Sequence, residues 1–263
     1  MEPRFDVNHL RQRLEEPERF ILHYFPQMES TNSWLVTAAR NDAPAGTVVI
    51  ADAQTAGRGR LGRRWEDTPG RSILLSLLVR DLPSKMNPLM LTYWISLQMA
   101  DAIEETVPGV HIRLKWPNDL FLRGKKLGGI LIEGNFTANK PQFFVIGIGI
   151  NVNQQWHDFP AEIRDRAISL RLVTRTVVSR ESIVAALLNR CTPLFEPNIA
   201  IHPPTLLREY KKRLLYLGEV ITVNTGKGTV KGRLTDLTPE GFLILATAEG
   251  DKVIHSGEIF YET

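Results

Sequence analysis

Residues 57–70 read GRGRLGRRWEDTPG, and the fold turns on whether a helix can start directly after the glycines. Gly57, Gly59 and Gly62 satisfy G-x-G-x-x-G, the lettering of a dinucleotide-binding turn. That turn works because a helix starts at once and offers its free amides to a pyrophosphate. Here Pro69 and Gly70 stand where such a helix would be running, so a doubly wound nucleotide fold is set aside. TVVIADAQ at 47–54 reads as a buried strand entering the loop, and SILLSLLVR at 72–80 as a second strand leaving it. The loop carries Arg58, Arg60, Arg63 and Arg64 within seven residues. Guanidiniums that close repel one another unless anions sit between them, although a solvated basic loop has the same composition.

Outward from the loop, Ser30-Thr31-Asn32 suits a helix start, and the helix runs through Trp34, Leu35 and Ala38. A short helix is expected over 9–20. Asn87-Pro88 supplies a cap and an N1 proline before Leu89, Tyr93, Leu97, Ala100 and Ile103, an apolar stripe at helical spacing. HIRLKW, 111–116, alternates as a strand until Pro117, and 120–122 and 127–133 flank a turn at 123–126 as a hairpin. FFVIGIGINVN, 143–153, suits a central strand, with Gly147 and Gly149 leaving room for something, a ligand among the candidates, to approach the backbone. Ser179 caps a helix to Leu188, and another helix covers 205–215. About four short strands then form a small β-domain, in which GKGT at 226–229 is a hairpin turn rather than a P-loop.

The 263 residues carry 32 Lys and Arg against 29 Asp and Glu, with 43% apolar and 23% charged, the composition of a soluble globular chain. The length suits one large domain or a core with an appendage. The lone Cys191 excludes an internal disulfide, and no Cys/His cluster has zinc spacing, which fits a reducing cytoplasm. The charged N-terminus lacks the apolar core of a secretory signal, and no stretch has the length of a membrane span. Lys115, Asp119 and Lys126 fall on or beside strand ends, with Asn118 and Asn151 at similar positions, a set suited to phosphate, carboxylate and ribose.

Taken together these residues resemble the biotin protein ligases. The resemblance rests on STN at 30–32, Gln54, GRGRLGRRW at 57–65, KWPNDL at 115–120, KLGGIL at 126–131 and GIGINVN at 147–153, in the family's order. It implies an α+β fold, a mixed β-sheet with helices packed on it as in class II synthetases, together with a small C-terminal SH3-like barrel. The implied domains are 1–212, catalytic, and 213–263. The implied activity is ATP-dependent conversion of biotin to biotinyl-5′-AMP, then transfer to a lysine of a biotin carboxyl carrier domain. ATP, Mg²⁺ and biotin take part, without a prosthetic group.

By motif position, Arg60 and Lys126 grip the biotin carboxylate and α-phosphate, and Arg58 orders the loop. Ser30, Thr31, Asn32, Gln54, Gly57, Gly128 and Gly129, with Arg58, Arg60 and Lys126, form the biotin site. Arg60, Arg63, Trp65, Lys115, Asn118, Asp119, Lys126 and Asn151 form the ATP site, with Trp65 on adenine and Asp119 a Mg²⁺ contact. Asp119 is also the candidate proton acceptor in transfer. The loop at 57–64 is expected to move when empty, and Arg58→Gly to release the adenylate. Ser30 also suits a plain helix cap, Trp65 plain packing, and Asp119 a turn that bonds backbone amides.

Bifunctional relatives carry a winged-helix domain before the Ser-Thr-Asn segment; only 29 residues precede Ser30 here, so direct repression and specific DNA binding are not expected. A homodimer is compatible with the family. Three rivals stand beside this reading: lipoate ligation or octanoyl transfer on the same fold, a nucleic-acid module using the basic loop, Lys125-Lys126 and Arg208–Arg213, and a biotin sensor without turnover. Octanoyl transfer needs a nucleophilic cysteine, and Cys191 lies outside every motif.

Overall fold

A computed structural model describes residues 4–80, 87–137, 140–196, 199 and 201–260. Seven strands form one sheet: β1 Ile21–Phe25, β2 Thr47–Ala51, β3 Ser72–Val79, β4 Arg113–Lys115, β5 Asp119–Leu122, β6 Lys125–Thr137 and β7 Lys140–Asn151. Their order is β1-β2-β3-β7-β6-β5-β4, parallel only between β1 and β2, so the sheet is mixed. The strand pair around the glycine-rich loop is present: β2 and β3 are antiparallel neighbours with every residue buried. The helices are α1 Val7–Arg11, α2 Thr31–Arg40, α3 Pro88–Thr106, α4 Leu170–Thr174, α5 Arg180–Cys191 and α6 Pro203–Arg213.

The sheet is covered on both faces. The larger core packs α3, α5 and α6 against Ile146, Ile148 and Ile150 of β7 and Ile130 of β6. Strand alternation sends the intervening residues to the other face, where α2 packs Leu35 and Ala39 on Val49, Leu78 and Val145. That second face continues beyond α2 as Gly147 and Gly149 of β7, paired with Leu131 and Gly129 of β6. The glycines there remove side chains from the sheet surface, and a cleft opens over them.

The expected helix over 9–20 is two shorter pieces, α1 and a single 3-10 turn at Pro17–Arg19. Pro17 accounts for the restart alone: it disfavours helical backbone at Glu16 and opens the 3-10 turn as its first residue, while α1 has already ended at Arg11. Asn87 caps α3 as expected, its side chain accepting from the Met90 amide at 2.8 Å. The C-terminal strands are five rather than about four: β8 Val220–Asn224, β9 Thr229–Leu237, β10 Leu243–Thr247, β11 Gly250–Ile254 and β12 Glu258–Phe260. They form an antiparallel sheet ordered β11-β10-β9-β8-β12, a small SH3-like unit. It docks through the turn at Gly241, whose carbonyl accepts from the Tyr93 hydroxyl (2.6 Å) and the Trp116 indole (3.4 Å).

Basic helix α6 has its charges engaged within the fold: Arg213 with Asp101 and Glu104, Lys211 with Asp236, and Lys212 and Arg208 with Glu209. Cys191 is fully buried, and burial pushes its thiol up to about 12, the setting of a packing residue rather than a nucleophile. No helix among the described residues is long and apolar enough to cross a membrane.

One polar knot ties α5 to the sheet. Arg180, the first residue of α5, donates to Asp52 at 2.7 Å, both nearly buried, and Asp52 also accepts from the Tyr24 hydroxyl at 2.6 Å. Removing one partner of a buried pair leaves the other charge uncompensated. Asp52→Asn keeps the shape and removes the charge, and is expected to cost about 2 kcal/mol, or about 6 °C in Tm for a chain of this size. Thermal denaturation checks it, and an unchanged Tm would refute it.

Candidate active site

The cleft over β6 and β7 encloses about 960 Å³, counted out to its solvent mouth, and segments from distant parts of the chain wall it. The start of α2 supplies Ser30, Thr31 and Asn32; β2 leads to Gln54; the loop gives Arg58 to Trp65; the β4–β5 turn gives Lys115 to Asp119; and Gly257 and Glu258 arrive from the C-terminal sheet. Lys126 and Gly129 come from β6. The structure therefore brings Arg60 and Lys126 into one cavity.

Three arginines tether the loop to three walls. Arg58 pairs with Glu133 of β6 at 2.9 Å, Arg60 donates to Asn118 at 3.2 Å, and Arg63 pairs with Glu258 of β12. The loop's own backbone bonds are internal, from Gly59 to Arg63, Arg63 to Arg60 and Trp65 to Gly57. Its tip, Leu61, adopts φ 56° and is 74% exposed.

On the opposite wall Lys126 donates to Asp119 at 2.6 Å. Lys115 has no carboxylate at ion-pair distance among the described residues; its ammonium lies 5.4 Å from the Phe121 ring centre. Burial lowers the pKa of both Lys115 and Arg60, opposed by the nearby charges of Asp119 and Glu258. Two desolvated cations without close counter-charges are arranged for anions that the chain does not itself supply.

The back wall is neutral and polar. Thr31 donates from its amide to Gln54 at 2.8 Å, its hydroxyl lying 3.1 Å from the same oxygen, and Ser30 caps α2 through the Ser33 amide. Asn32 donates to Glu133 at 2.8 Å and accepts from Ser76 at 2.6 Å. Gly147 and Gly149 do admit close neighbours, but these are protein side chains: a Cβ would sit 2.2 Å from Asn32 at the first and 2.7 Å from Trp65 at the second. The Trp65 indole N–H is buried without a partner among the described residues, so an acceptor on a ligand would satisfy it.

Three sequence-predicted residues lie off the cleft. Gly128 faces the core, where a Cβ would meet Ile150 at 2.4 Å, because it alternates with Gly129 along β6. Asn151 is buried in the fold, donating to the Ile168 carbonyl at 3.1 Å and accepting from Gln154 at 3.3 Å. Gly57 sits at the loop base against Trp65. Sequence reasoning misses Glu133, Glu258 and Ser76. Glu133 is legible by alternation from Gly129, whereas nothing in the chain announces that Glu258 crosses from the second sheet.

Residues 24–151 match the model of the Biotin/lipoate A/B protein ligase family, and 216–261 that of the Biotin protein ligase C terminal domain. The bifunctional ligase/repressor BirA of Bacillus subtilis is 36% identical over 240 residues, covering 90% of this chain and 73% of that protein. The chain belongs to the biotin protein ligase family. A biotin--[acetyl-CoA-carboxylase] ligase of Mycobacterium tuberculosis is 34% identical, with coverage of 89% and 86%. The solved structure of the Aquifex aeolicus biotin protein ligase in complex with biotin and ATP superposes on this ligase with a TM-score of 0.77 at 32% identity, covering 91% and 97%.

Asp67 lies at the foot of the loop of this ligase and accepts from the Gln54 amide at 3.3 Å. Burial pushes its carboxyl up to about 6, against the pull of that amide. A folded-state pKa above the unfolded one contributes stability that is complete near pH 4 and lost as pH rises through 6. Asp67→Asn, a mimic of the protonated acid, is expected to raise Tm at pH 7.5, where two units correspond to at most about 3 kcal/mol, and to match the parent below pH 4. A Tm difference independent of pH would contradict this.

Proposed function

We propose that this ligase activates biotin with ATP to biotinyl-5′-AMP and passes the biotinyl group to a lysine of a biotin carboxyl carrier domain. The observation that carries the reading is the convergence of Arg60, Lys115 and Lys126 on one cleft with a neutral polar back wall. In the first step a carboxylate attacks the α-phosphate, and two unit anions 4 Å apart repel by about 4 kcal/mol at an effective dielectric near 20. Arg60 and Lys126 offset that repulsion from opposite walls. The bicycle of biotin is apolar with a polar ureido edge. Among the described residues the Gln54 amide nitrogen donates no hydrogen bond and is available for that edge while Thr31 holds its oxygen, and Gly129 keeps the sheet wall low.

The nucleotide lies toward Trp65, Lys115, Asn118 and Asp119. Mg²⁺ arrives with the triphosphate and screens it, keeping mostly water and phosphate ligands. That demand fits Asp119 as a single protein contact, since among the described residues no three His, Cys, Asp or Glu gather into a cage. A mixed anhydride hydrolyses readily, and the 57–64 loop, tethered only through side chains, is the element that covers it. In this reading residues 1–212 are the catalytic unit and 213–263 the SH3-like unit, which reaches the loop through Glu258.

Incubation with biotin, Mg-ATP and a biotin carrier domain tests the proposal. Biotin-dependent pyrophosphate release and a gain in carrier mass at one lysine are expected. Release that answers to lipoate or octanoate instead would overturn the substrate assignment.

A further inference from the structure

Glu133 is an anomaly in a cleft built for anions. It places a carboxylate on the cleft face of β6, two residues beyond Leu131, which lines the cavity. Left unpartnered, that charge would oppose the binding of carboxylate and phosphate. Both of its oxygens are instead fixed: Oε1 by Arg58 at 2.9 Å and Oε2 by the Asn32 amide at 2.8 Å.

The Asn32 contact does not end there. Asn32 Oδ1 accepts the Ser76 hydroxyl proton at 2.6 Å, Ser76 Oγ lies 2.8 Å from the Thr31 hydroxyl, whose proton completes that link, and the Thr31 backbone amide donates to Gln54 at 2.8 Å. A continuous polar chain thus runs from the loop, through Glu133, to the wall assigned to the ureido edge of biotin. Among the described residues the Arg58–Glu133 pair is the loop contact that continues through Asn32 and Ser76 into that wall, while Arg58 also reaches Ser33 at 3.4 Å and Arg64 the Thr55 carbonyl at 3.3 Å.

We propose that Glu133 is a positioning residue that holds the 57–64 loop over the cleft by gripping Arg58, with Asn32 fixing its carboxylate to the biotin wall. This rests on the biotin-activating reading of the cleft. Glu133 touches neither reacting group; it acts through Arg58. Because Arg58 is half exposed and Glu133 a quarter exposed, the pair supports a few-fold effect rather than one of many orders.

The test uses Glu133→Gln, which keeps an acceptor for Asn32 and removes the charge that holds Arg58. Two readouts are taken on the full chain: the release rate of preformed biotinyl-AMP, and the rate at which trypsin cuts at Arg58, Arg60, Arg63 or Arg64 in the ligand-free protein. Each is expected to rise about threefold to fivefold. In an Arg58→Gly background the same substitution is expected to change neither, because the partner through which it acts is gone.

Unchanged rates in Glu133→Gln, or effects that multiply with Arg58→Gly, overturn the proposal. A merely structural role for Glu133 gives that multiplying pattern. Should the parent protein form no biotinyl-AMP at all, the activity reading falls, while the trypsin arm still decides whether Glu133 holds the loop.

Discussion

Lys126→Met is expected to lower the rate of biotinyl-AMP formation about a thousandfold. The ammonium stands at 2.6 Å from Asp119 in the cleft, so the substitution does two things at once. It withdraws one of the two cations that offset the repulsion between carboxylate and α-phosphate, and it leaves the Asp119 charge without its ion-pair partner in the same space. A unit charge at 4 Å contributes about 4 kcal/mol at an effective dielectric near 20, and each 1.36 kcal/mol is roughly a factor of ten in rate. Lys126→Arg keeps the charge but moves it, and is expected to fall between parent and Met. Single-turnover pyrophosphate release reads the effect directly. A loss under tenfold in the Met variant would mean that Arg60 and Lys115 suffice and that Lys126 serves the fold.

How far the amino-acid sequence determines this picture on sight depends on the distance over which each signal acts. Strand alternation, the Asn87-Pro88 cap and the breaking of the glycine-rich motif by Pro69 and Gly70 are local, and the sheet with its loop is legible from them. Motif position alone places Gly128 beside Gly129 in the biotin wall, but neighbours on a strand face opposite ways, and only Gly129 reaches the cleft. The same alternation, carried four residues on, leads to Glu133. Asn151 has the look of a ligand because it ends an apolar strand; it is instead bonded to the chain around residues 154 and 168.

Long-range partners are out of reach of such signals. Glu258 enters the site from a second sheet, nearly two hundred residues from Arg63, and no spacing rule connects them. Gly147 and Gly149 declare that something comes close to the backbone without saying what. The occupants, Asn32 and Trp65, lie far off in the chain and are set by how α2 and the loop pack on the sheet. Glycine in a strand is thus a sign of an approach, and the identity of the approaching group belongs to tertiary structure.

Transfer makes a second demand on the site, and Asp119→Asn is expected to slow it about a hundredfold to a thousandfold at pH 7, measured from preformed biotinyl-AMP to a carrier domain. A free lysine has a pKa near 10.4, so presenting it as a neutral amine at pH 7 costs about 4.6 kcal/mol. A carboxylate in reach of the attacking nitrogen can take the proton as the bond forms, a contribution of roughly 10²–10⁴ when a side chain is well placed. Asp119 pairs with Lys126, is about four-fifths shielded, and is the acidic side chain of the β4–β5 turn that lines the cleft. The dependence on pH separates this role from simple attraction of the incoming ammonium. As pH rises toward 10 the acceptor lysine loses its proton unaided, and the gap between parent and variant is expected to close. A gap of constant size across that range would make Asp119 a docking charge, and undiminished transfer by the variant would remove it from the second step altogether.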